Sequence, residues 1–462
     1  MEVLNFKNLA KNPLRKKALL IAEAGYEAIN INKAIGERIK VKGNVLEVRP
    51  PREVEPPIKL NLSDFKNVYT IGIGKGSALA SIELAKILGK KLTKGLALDV
   101  SIPAKRLALS ARRLAFFTGT HPLPSKKNML ATAKIEEMAR KAGKDDLVMA
   151  FICGGGSALA CSSRDELTCS LAATKGLTAM GADIIELNTI RKHASEIKGG
   201  NLAKLAYPAT LVSLIVSDVL GNDMEMIASG PTVRDTTTKK DAEKILKKYG
   251  LNSNKFHLVE TPKNEKYFKN VKNILFISNK DALSAMEEKA KELKLKPKIY
   301  SCRLEGEASN VFSKMVNGIR NKEIILAGGE TTVHLTNNQR STTNNKLGKG
   351  GRNQEAVLAT LTQTYSDSNS DKLRYKNNLR KSASKSAQIC ALAIASDGHD
   401  NTEAAGAIGD ILTLKKAKKL KLNPQDYLNR HDSFNFFKKT GDAIYAKKKS
   451  FNIADLFIIL KK

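Results

Sequence analysis

One pattern recurs along the whole chain and restricts the fold more than any other. A short apolar run ends in Gly, Ser or Asp, and a stretch with helical periodicity follows. VYTIGIG (68–74) leads into GSALASIELAKIL, LVMAFICGGG (147–156) into SALAC and then a helix from Glu166, and TLVSLIVSD (210–218) into a glycine loop. ILFISN (274–279) precedes DALSAMEEKAKEL, EIILAGGETT (323–332) a polar loop, and ALAIASDGHD (391–400) TEAAGAIGDIL, with DLFIIL (455–460) last. Strands alternating with helices across short Gly-rich turns predict an α/β fold, with parallel sheets covered by helices on both faces. A composition break at RDTTTKKD (234–241), after Pro231, divides the chain into two expected domains, 1–235 and 236–462. TNNQRSTTNN (336–345) and the Ser/Asn/Lys-rich stretch 366–386 read as surface loops.

The balance of 78 basic against 46 acidic residues gives +32, a charge that attracts anions in general. The lysines are scattered and lack interleaved aromatics, which argues against nucleic-acid binding as the main role. That leaves two readings of the charge, attraction of anionic substrates and a compositional habit that puts lysine pairs on exposed helix faces. Five cysteines, with no CxxC pair, fall in apolar or small-residue settings and read as buried free thiols of a reducing compartment. ALLIAEAGYEAI near the N-terminus is interrupted by Glu23 and Glu27 and reads as an amphipathic helix, not a signal peptide. The longest charge-free run, 147–163, contains three consecutive glycines and is too loop-like to span a bilayer. The expectation is a cytoplasmic protein without a membrane partner.

The candidate site residues cluster where strands end. Gly72-Ile-Gly74-Lys75-Gly76-Ser77 follows a strand and opens a helix, whose free N–H groups and dipole favour an anion. Ser77 stands where a dinucleotide fingerprint wants Gly, although Asp99 does end the next plausible strand. Gly154-Gly155-Gly156-Ser157 repeats the arrangement, and two such loops on one sheet would make an anion cradle. The helix expected at 184–197 has an apolar stripe (Ile184, Leu187, Ile190, Ala194, Ile197) opposite Asn188, Arg191, Lys192, Ser195 and Lys198. That polar stripe runs into Gly199-Gly200; its plain alternative is a solvated face, and His193 between the two reads as structural. Asp218 comes directly off a strand and is therefore the better catalytic carboxylate than Asp223. In the second half Glu330, the loop Lys349–Glu355 with Arg352 and Asn353, and the loop Ser396–Asp400 form further strand-end candidates. Cations facing a carboxylate beyond a strand end suit phosphoryl transfer.

Taken in order, GIGKGS (72–77), THPLP (120–124), CGGGSAL (153–159), NTIRKHASEIKGGNLA (188–203), SDVLGNDMEMIASGPT (217–232), LEGEA (304–308), GGETTV (328–333), GKGGRNQE (348–355), SDGHDNTEAAGA (396–407) and HDSFNFF (431–437) span nearly the full chain. The series resembles the glycerate 2-kinase family, whose second domain is often called MOFRL. The resemblance implies ATP-dependent phosphorylation of D-glycerate at its 2-hydroxyl, with Mg²⁺ as helper ion. It also implies a Rossmann-like first domain, a MOFRL-type second, and an active site in the cleft between them. Lys75, Arg191, Asp218 and Arg352 are the catalytic residues it implies. We expect Lys75 and Arg191 to hold the glycerate carboxylate or the moving phosphate, Arg352 to balance phosphoryl charge, and Asp218 to accept the hydroxyl proton. Further substrate or phosphate contacts are expected from Gly74, Gly76, Ser77, Gly155, Gly156, Ser157, Lys192, Lys198 and Asn353, and metal binding from Asp397 and Glu330. The expected partners are ATP and D-glycerate, with room for a homodimer.

One segment departs from the family pattern. A Thr-Gly-Pro-Thr-Gly-Thr-Asn loop is replaced by Ala446-Lys-Lys-Lys-Ser-Phe-Asn452, and only Asn452 remains. This change motivates an alternative, a catalytically weak anion-binding regulator. The other alternative is an NAD(P)-dependent hydroxypyruvate reductase using the Gly72 loop and Asp99.

Overall fold

A computed structural model describes residues 2–51, 56–103, 113–252, 256–316, 319–335, 348–370, 389–449 and 451–462. The expected surface loop 336–345 and positions 371–386 of the other lie outside the described residues. The chain forms two compact units, residues 30–278, and residues 1–29 together with 279–462.

The 30–278 unit begins with a small antiparallel sheet, β1 (Ile39–Lys42), β2 (Val45–Val48) and β3 (Ile58–Asn61). Its main sheet holds β4 (Asn67–Ile73), β5 (Lys94–Asp99), β6 (Leu114–Thr118), β7 (Asp146–Ile152), β8 (Thr210–Val216) and β9 (Val271–Ile277). The strand order is β6-β5-β4-β7-β8-β9 and every neighbouring pair is parallel. This is the doubly wound arrangement, and the direction of winding reverses between β4 and β7. Central strands of such a sheet are covered on both faces and need continuous apolar sequence. DLVMAFI in β7 meets that need, with every residue buried. Ile71, Leu96, Val148, Ile152 and Ile215 pack with the helical Ile135 and Leu202 into one core.

The domain boundary expected near residue 235 falls inside this unit. β9 adds to the sheet beside β8, so the chain leaves the unit only after Ser278. The RDTTTKKD stretch is an irregular connection up to Thr237, then the N-cap Thr238 and the first turn of the helix Lys239–Lys248.

The second unit has β10 (Lys296–Leu304), β11 (Glu323–Gly329), β12 (Ile389–Ala395), β13 (Gly406–Gly409), β14 (Ala443–Ile444) and β15 (Asp455–Lys461), ordered β10-β11-β15-β12-β13-β14. Only β10 and β11 are parallel; the other pairs are antiparallel. The expectation of parallel sheets therefore holds for the first unit and fails here. Segments 396–405 and 445–454 are shorter than the roughly dozen residues that a parallel crossover needs, and β15 inserts between β11 and β12, antiparallel to both.

The N-terminal amphipathic helix, Pro13–Ala28, belongs to this unit, capped by Asn12 through the Arg15 N–H. Arg15 is wholly buried and donates from Nη1 to Asp442 Oδ1 at 2.7 Å and from Nη2 to Asp410 Oδ1 at 2.6 Å. At the other end the Tyr26 hydroxyl donates to Ala395 O, and Lys449 Nζ donates to Tyr26 O at 2.6 Å. No helix among the described residues is long and apolar enough to cross a membrane. All five cysteines are free, and all but Cys302 are buried.

Candidate functional site in the parallel-sheet unit

The crevice at a winding reversal lies beyond the C-terminal ends of the flanking strands, here β4 and β7. The loop after β7 carries Gly154 and Gly155, and three side chains converge on them. A Cβ at Gly154 would lie 1.8 Å from Asp218 Oδ2, so the carboxylate rests directly on that glycine. At Gly155, in the left-handed region with φ of 78°, a Cβ would be 3.2 Å from both Lys75 Cε and His121 Cδ2. A cation, an imidazole and a carboxylate thus surround two consecutive residues that have no side chains of their own. The Lys75 N–H donates to Gly154 O at 3.0 Å, which ties the loop after β4 to the loop after β7. No carboxylate among the described residues lies within ion-pair distance of Lys75.

Beyond the glycine pair, the Ser157 and Ser229 hydroxyls lie 2.9 Å apart, and Ser229 donates to Asn188 Oδ1 at 2.8 Å. Ala228 and Ser229 adopt φ of 51° and 59°, a left-handed conformation that costs a non-glycine residue about 1–3 kcal/mol each. Residues 199–202 hold this turn: Gly199 donates to Ser229 O at 2.9 Å, Gly200 to Gly230 O at 2.8 Å and Leu202 to Pro231 O at 3.0 Å. The Gly199-Gly200 backbone is therefore spent on the turn and not offered to a ligand. Arg191, one helical turn on from Asn188, donates to Thr174 Oγ1 at 3.1 Å and has no carboxylate partner among the described residues. Burial lowers its pKa, so an incoming anion would be favoured there.

Several expected contacts are already engaged within the protein. The Asp99 carboxylate is buried and accepts the Gly76 N–H at 2.9 Å and the Ala78 N–H at 3.0 Å, which caps the helix Ser77–Leu88 internally. Ser77 Oγ donates to Leu98 O at 3.0 Å, and Gly74 packs against Cys153 O. The anion cradle expected from Gly74, Gly76 and Ser77 is therefore filled by this chain's own aspartate. Lys192 Nζ donates to Asp235 Oδ1 at 2.5 Å, and buried Lys198 is paired with Glu166. Of the polar stripe, Lys192 and Lys198 are therefore internal ion-pair partners while Arg191 is not, and at the start of the helix, observed at Ile184–His193, Ile184 and Ile185 are exposed instead of buried. His193 is buried and structural as expected, with Nδ1 2.9 Å from Val259 O and Nε2 3.2 Å from Thr237 Oγ1. Gly156 packs against Ala228 Cβ, and Asp223 accepts the Glu225 N–H in its own turn.

The second unit carries a cavity of about 630 Å³, lined by Thr331, Thr332, Arg352, Glu355, His399 and His431 among others. Arg352 donates from Nε to Asp455 Oδ2 and from Nη1 to Glu330 Oε1, both at 2.5 Å. Burial pushes the Asp455 carboxyl up to about 7 despite that pairing. Buried Asp400 accepts the Asn353 N–H at 3.1 Å and the Gln354 N–H at 2.9 Å, repeating the internal capping seen at Asp99. Asn353 Nδ2 also donates to Asp400 Oδ1 at 3.2 Å, Glu330 is bound to Arg352, and Asp397 accepts the His399 N–H at 2.9 Å. Among the described residues no group of three His, Cys, Asp or Glu side chains could hold a metal ion by itself.

The lysine-rich 446–449 stretch is a clasp on the N-terminal segment. Lys447 N donates to Glu2 O at 2.8 Å, and the Lys449 ammonium lies 4.5 Å from the Tyr26 ring centre. Asn452, the residue shared with the family pattern, bonds Ser396 Oγ through its side-chain oxygen.

Comparison with known proteins fits this architecture. Residues 17–260 match the family described as a domain of unknown function (DUF4147), and residues 323–455 match the MOFRL family. A glycerate 2-kinase of Pyrococcus horikoshii is 30 % identical, with 96 % of this chain and 95 % of that protein aligned. The chain belongs to the glycerate 2-kinase family. The crystal structure of a glycerate kinase from Thermotoga maritima superposes with a TM-score of 0.77 at 27 % identity, covering 97 % of this chain and 99 % of that one. An Agrobacterium vitis relative, 36 % identical over 76 % of this chain and 78 % of its own length, carries the provisional name hydroxypyruvate reductase. His121 beside Gly155 and Ser229 beside Ser157 are neighbours of the glycine pair that motif reading did not single out. The signals were a histidine beside a proline after a strand end, and an Ala-Ser-Gly-Pro turn.

Proposed function

We propose that this chain transfers the γ-phosphoryl group of ATP to the 2-hydroxyl of D-glycerate, giving 2-phosphoglycerate and ADP. The observation that carries the reading is the convergence of Lys75 and Asp218 on Gly154-Gly155 beyond β4 and β7. Asp218 orients the 2-hydroxyl and accepts its proton as the oxygen bonds to phosphorus and the bond to ADP breaks. Lys75 and Arg191, cations without internal carboxylate partners among the described residues, hold the substrate carboxylate or the moving phosphate. Arg352, in the cavity of the second unit, is assigned to phosphate charge. Magnesium is assigned to the substrate side, carried in on the phosphates of ATP, as that ion commonly is.

Asp99 argues against the reductase alternative. A dinucleotide needs the helix N-terminus for its pyrophosphate and a free acidic group for its ribose, and the buried Asp99 carboxylate occupies the first and is itself consumed. The discriminating experiment sets ADP release from Mg·ATP with D-glycerate beside NADH oxidation with hydroxypyruvate. The first is expected; turnover of NADH without ADP release would reverse the assignment.

The packing of Asp218 on Gly154 gives a second prediction. Gly154→Ala puts a methyl group where the carboxylate lies, at a residue with no positive φ to strain the backbone. Activity should fall by about 10²-fold, the usual effect of an ångström-scale misplacement, with the melting temperature close to wild type. Gly36→Ala, where a Cβ meets nothing within 4 Å, is the control and should keep full activity.

A further inference from the structure

D-Glycerate has three polar groups, and the carboxylate and 2-hydroxyl are met by Lys75 and Asp218 in the reading above. Its 3-hydroxyl is left over, and one side chain at the glycine pair is unused. We propose that His121 is a specificity-determining residue that hydrogen-bonds the 3-hydroxyl of D-glycerate, and so separates this acid from 2-hydroxy acids that lack it. The inference rests on the proposed function.

Position is the first support. His121 Cδ2 and Lys75 Cε both come within 3.2 Å of one point above Gly155, and Asp218 sits against the adjacent Gly154. A small molecule held by Lys75 and Asp218 would therefore lie beside the imidazole. The second support is how the segment is fixed. Buried Asn128 accepts the Thr120 N–H at 3.0 Å and donates to Thr120 O at 3.1 Å. The same amide donates to Ala158 O and Leu159 O at 3.2 and 3.1 Å. One buried side chain thus clamps the residue before His121 to the helical turn that follows the glycine pair.

The third support is chemical availability. His193 spends both ring nitrogens inside the protein, whereas among the described residues neither nitrogen of His121 has an internal hydrogen-bond partner. The residue is exposed to solvent. Partial desolvation, and then the Lys75 ammonium, lower the imidazole to about 4. It is therefore neutral at pH 7, with one nitrogen donating and the other accepting, which suits a hydroxyl better than an anion.

A site that hydrogen-bonds a substrate hydroxyl rejects the analogue lacking it, because its own polar groups are then left unpaired. The test compares kcat/KM for D-glycerate and for D-lactate, which has a methyl group in place of the hydroxymethyl; where lactate turnover is too slow, its inhibition constant replaces it. His121→Ala should lower the glycerate value by about tenfold or more and leave the lactate value within about twofold, and His121→Gln should recover part of the loss. An equal fall for both acids would reduce His121 to support for Lys75 and overturn the proposal, as would an unchanged ratio. Wild-type turnover of D-glycerate is the internal reference. Its absence would sink the proposed function together with this inference, whereas turnover with an unaltered ratio would sink the inference alone.

Discussion

Asp218→Asn is expected to lower kcat for D-glycerate by about 10²- to 10⁴-fold, the range set by loss of a general base. The amide has the shape of the carboxylate and can still accept a hydrogen bond from the 2-hydroxyl, but it cannot take the proton. KM should therefore move much less than kcat. The side chain comes off the end of β8, a strand buried along nearly its whole length, so its placement is set by the core and not by a mobile loop. The variant should fold normally, because the change adds no volume where the group packs on Gly154. Initial rates at saturating Mg·ATP, with a melting curve alongside, check both halves. A variant within about threefold of wild-type kcat would remove Asp218 from the proton transfer.

Arg15→Met is expected to destabilise the second unit by about 3–5 kcal/mol, the cost of breaking a buried ion pair by removing one partner. Asp410 and Asp442 both bind this guanidinium, and both are buried. In its absence two carboxylates face one another with only the half-exposed Lys11 beside Asp442. The sign of the pH dependence follows. Burial pushes the Asp410 carboxyl up, but Arg15 brings it to a net position below its usual range. A depressed carboxylate contributes stability above its unfolded pKa and loses it as pH falls through the folded value. In the variant the largest lowering influence on Asp410 is gone and the Asn12 and Leu412 hydrogen bonds are left to oppose its burial, so protonation of this carboxyl becomes easier and relieves the repulsion. The deficit should therefore be largest near neutrality and narrow towards pH 4. Denaturant unfolding across that range measures it; a constant deficit would mean that lost packing, not charge, is the cause.

The sequence carried the parallel sheet well because buried central strands must be continuously apolar, and VYTIG, LVMAFI and LVSLIV cannot be much else. It was silent on β6, β10, β14 and the small sheet β1 to β3, and it read as helical the TEAAGAIGDIL stretch that holds β13. The burial pattern of β10 shows why: KPKIYSCRL is largely exposed and has neither a continuous apolar run nor clean alternation. Antiparallel insertion of β15 was also beyond reach, since a strand's direction is set by its connections rather than its composition. At the site, glycine loops and a strand-end aspartate were legible as a location. The division of labour among them was not. Lys192, Lys198, Gly76, Ser77 and Asn353 read as ligand contacts because a charge or a glycine beside a helix start looks the same whether its partner is a substrate or a distant carboxylate of the same chain. Asp235, Glu166, Asp99 and Asp400 are those distant partners, and only the fold brings them together.

The most direct test is the identity of the phosphorylated product. Wild-type protein incubated with Mg·ATP and D-glycerate, with the product read by phosphorus NMR with proton coupling, should yield 2-phosphoglycerate, its phosphorus coupled to the single proton on C2, at an initial rate about 10²- to 10⁴-fold above that of Asp218→Asn protein. A product with phosphorus coupled to two protons, 3-phosphoglycerate, would contradict the assignment of Asp218 to the 2-hydroxyl, and no phosphorylated glycerate from wild type would contradict the account as a whole.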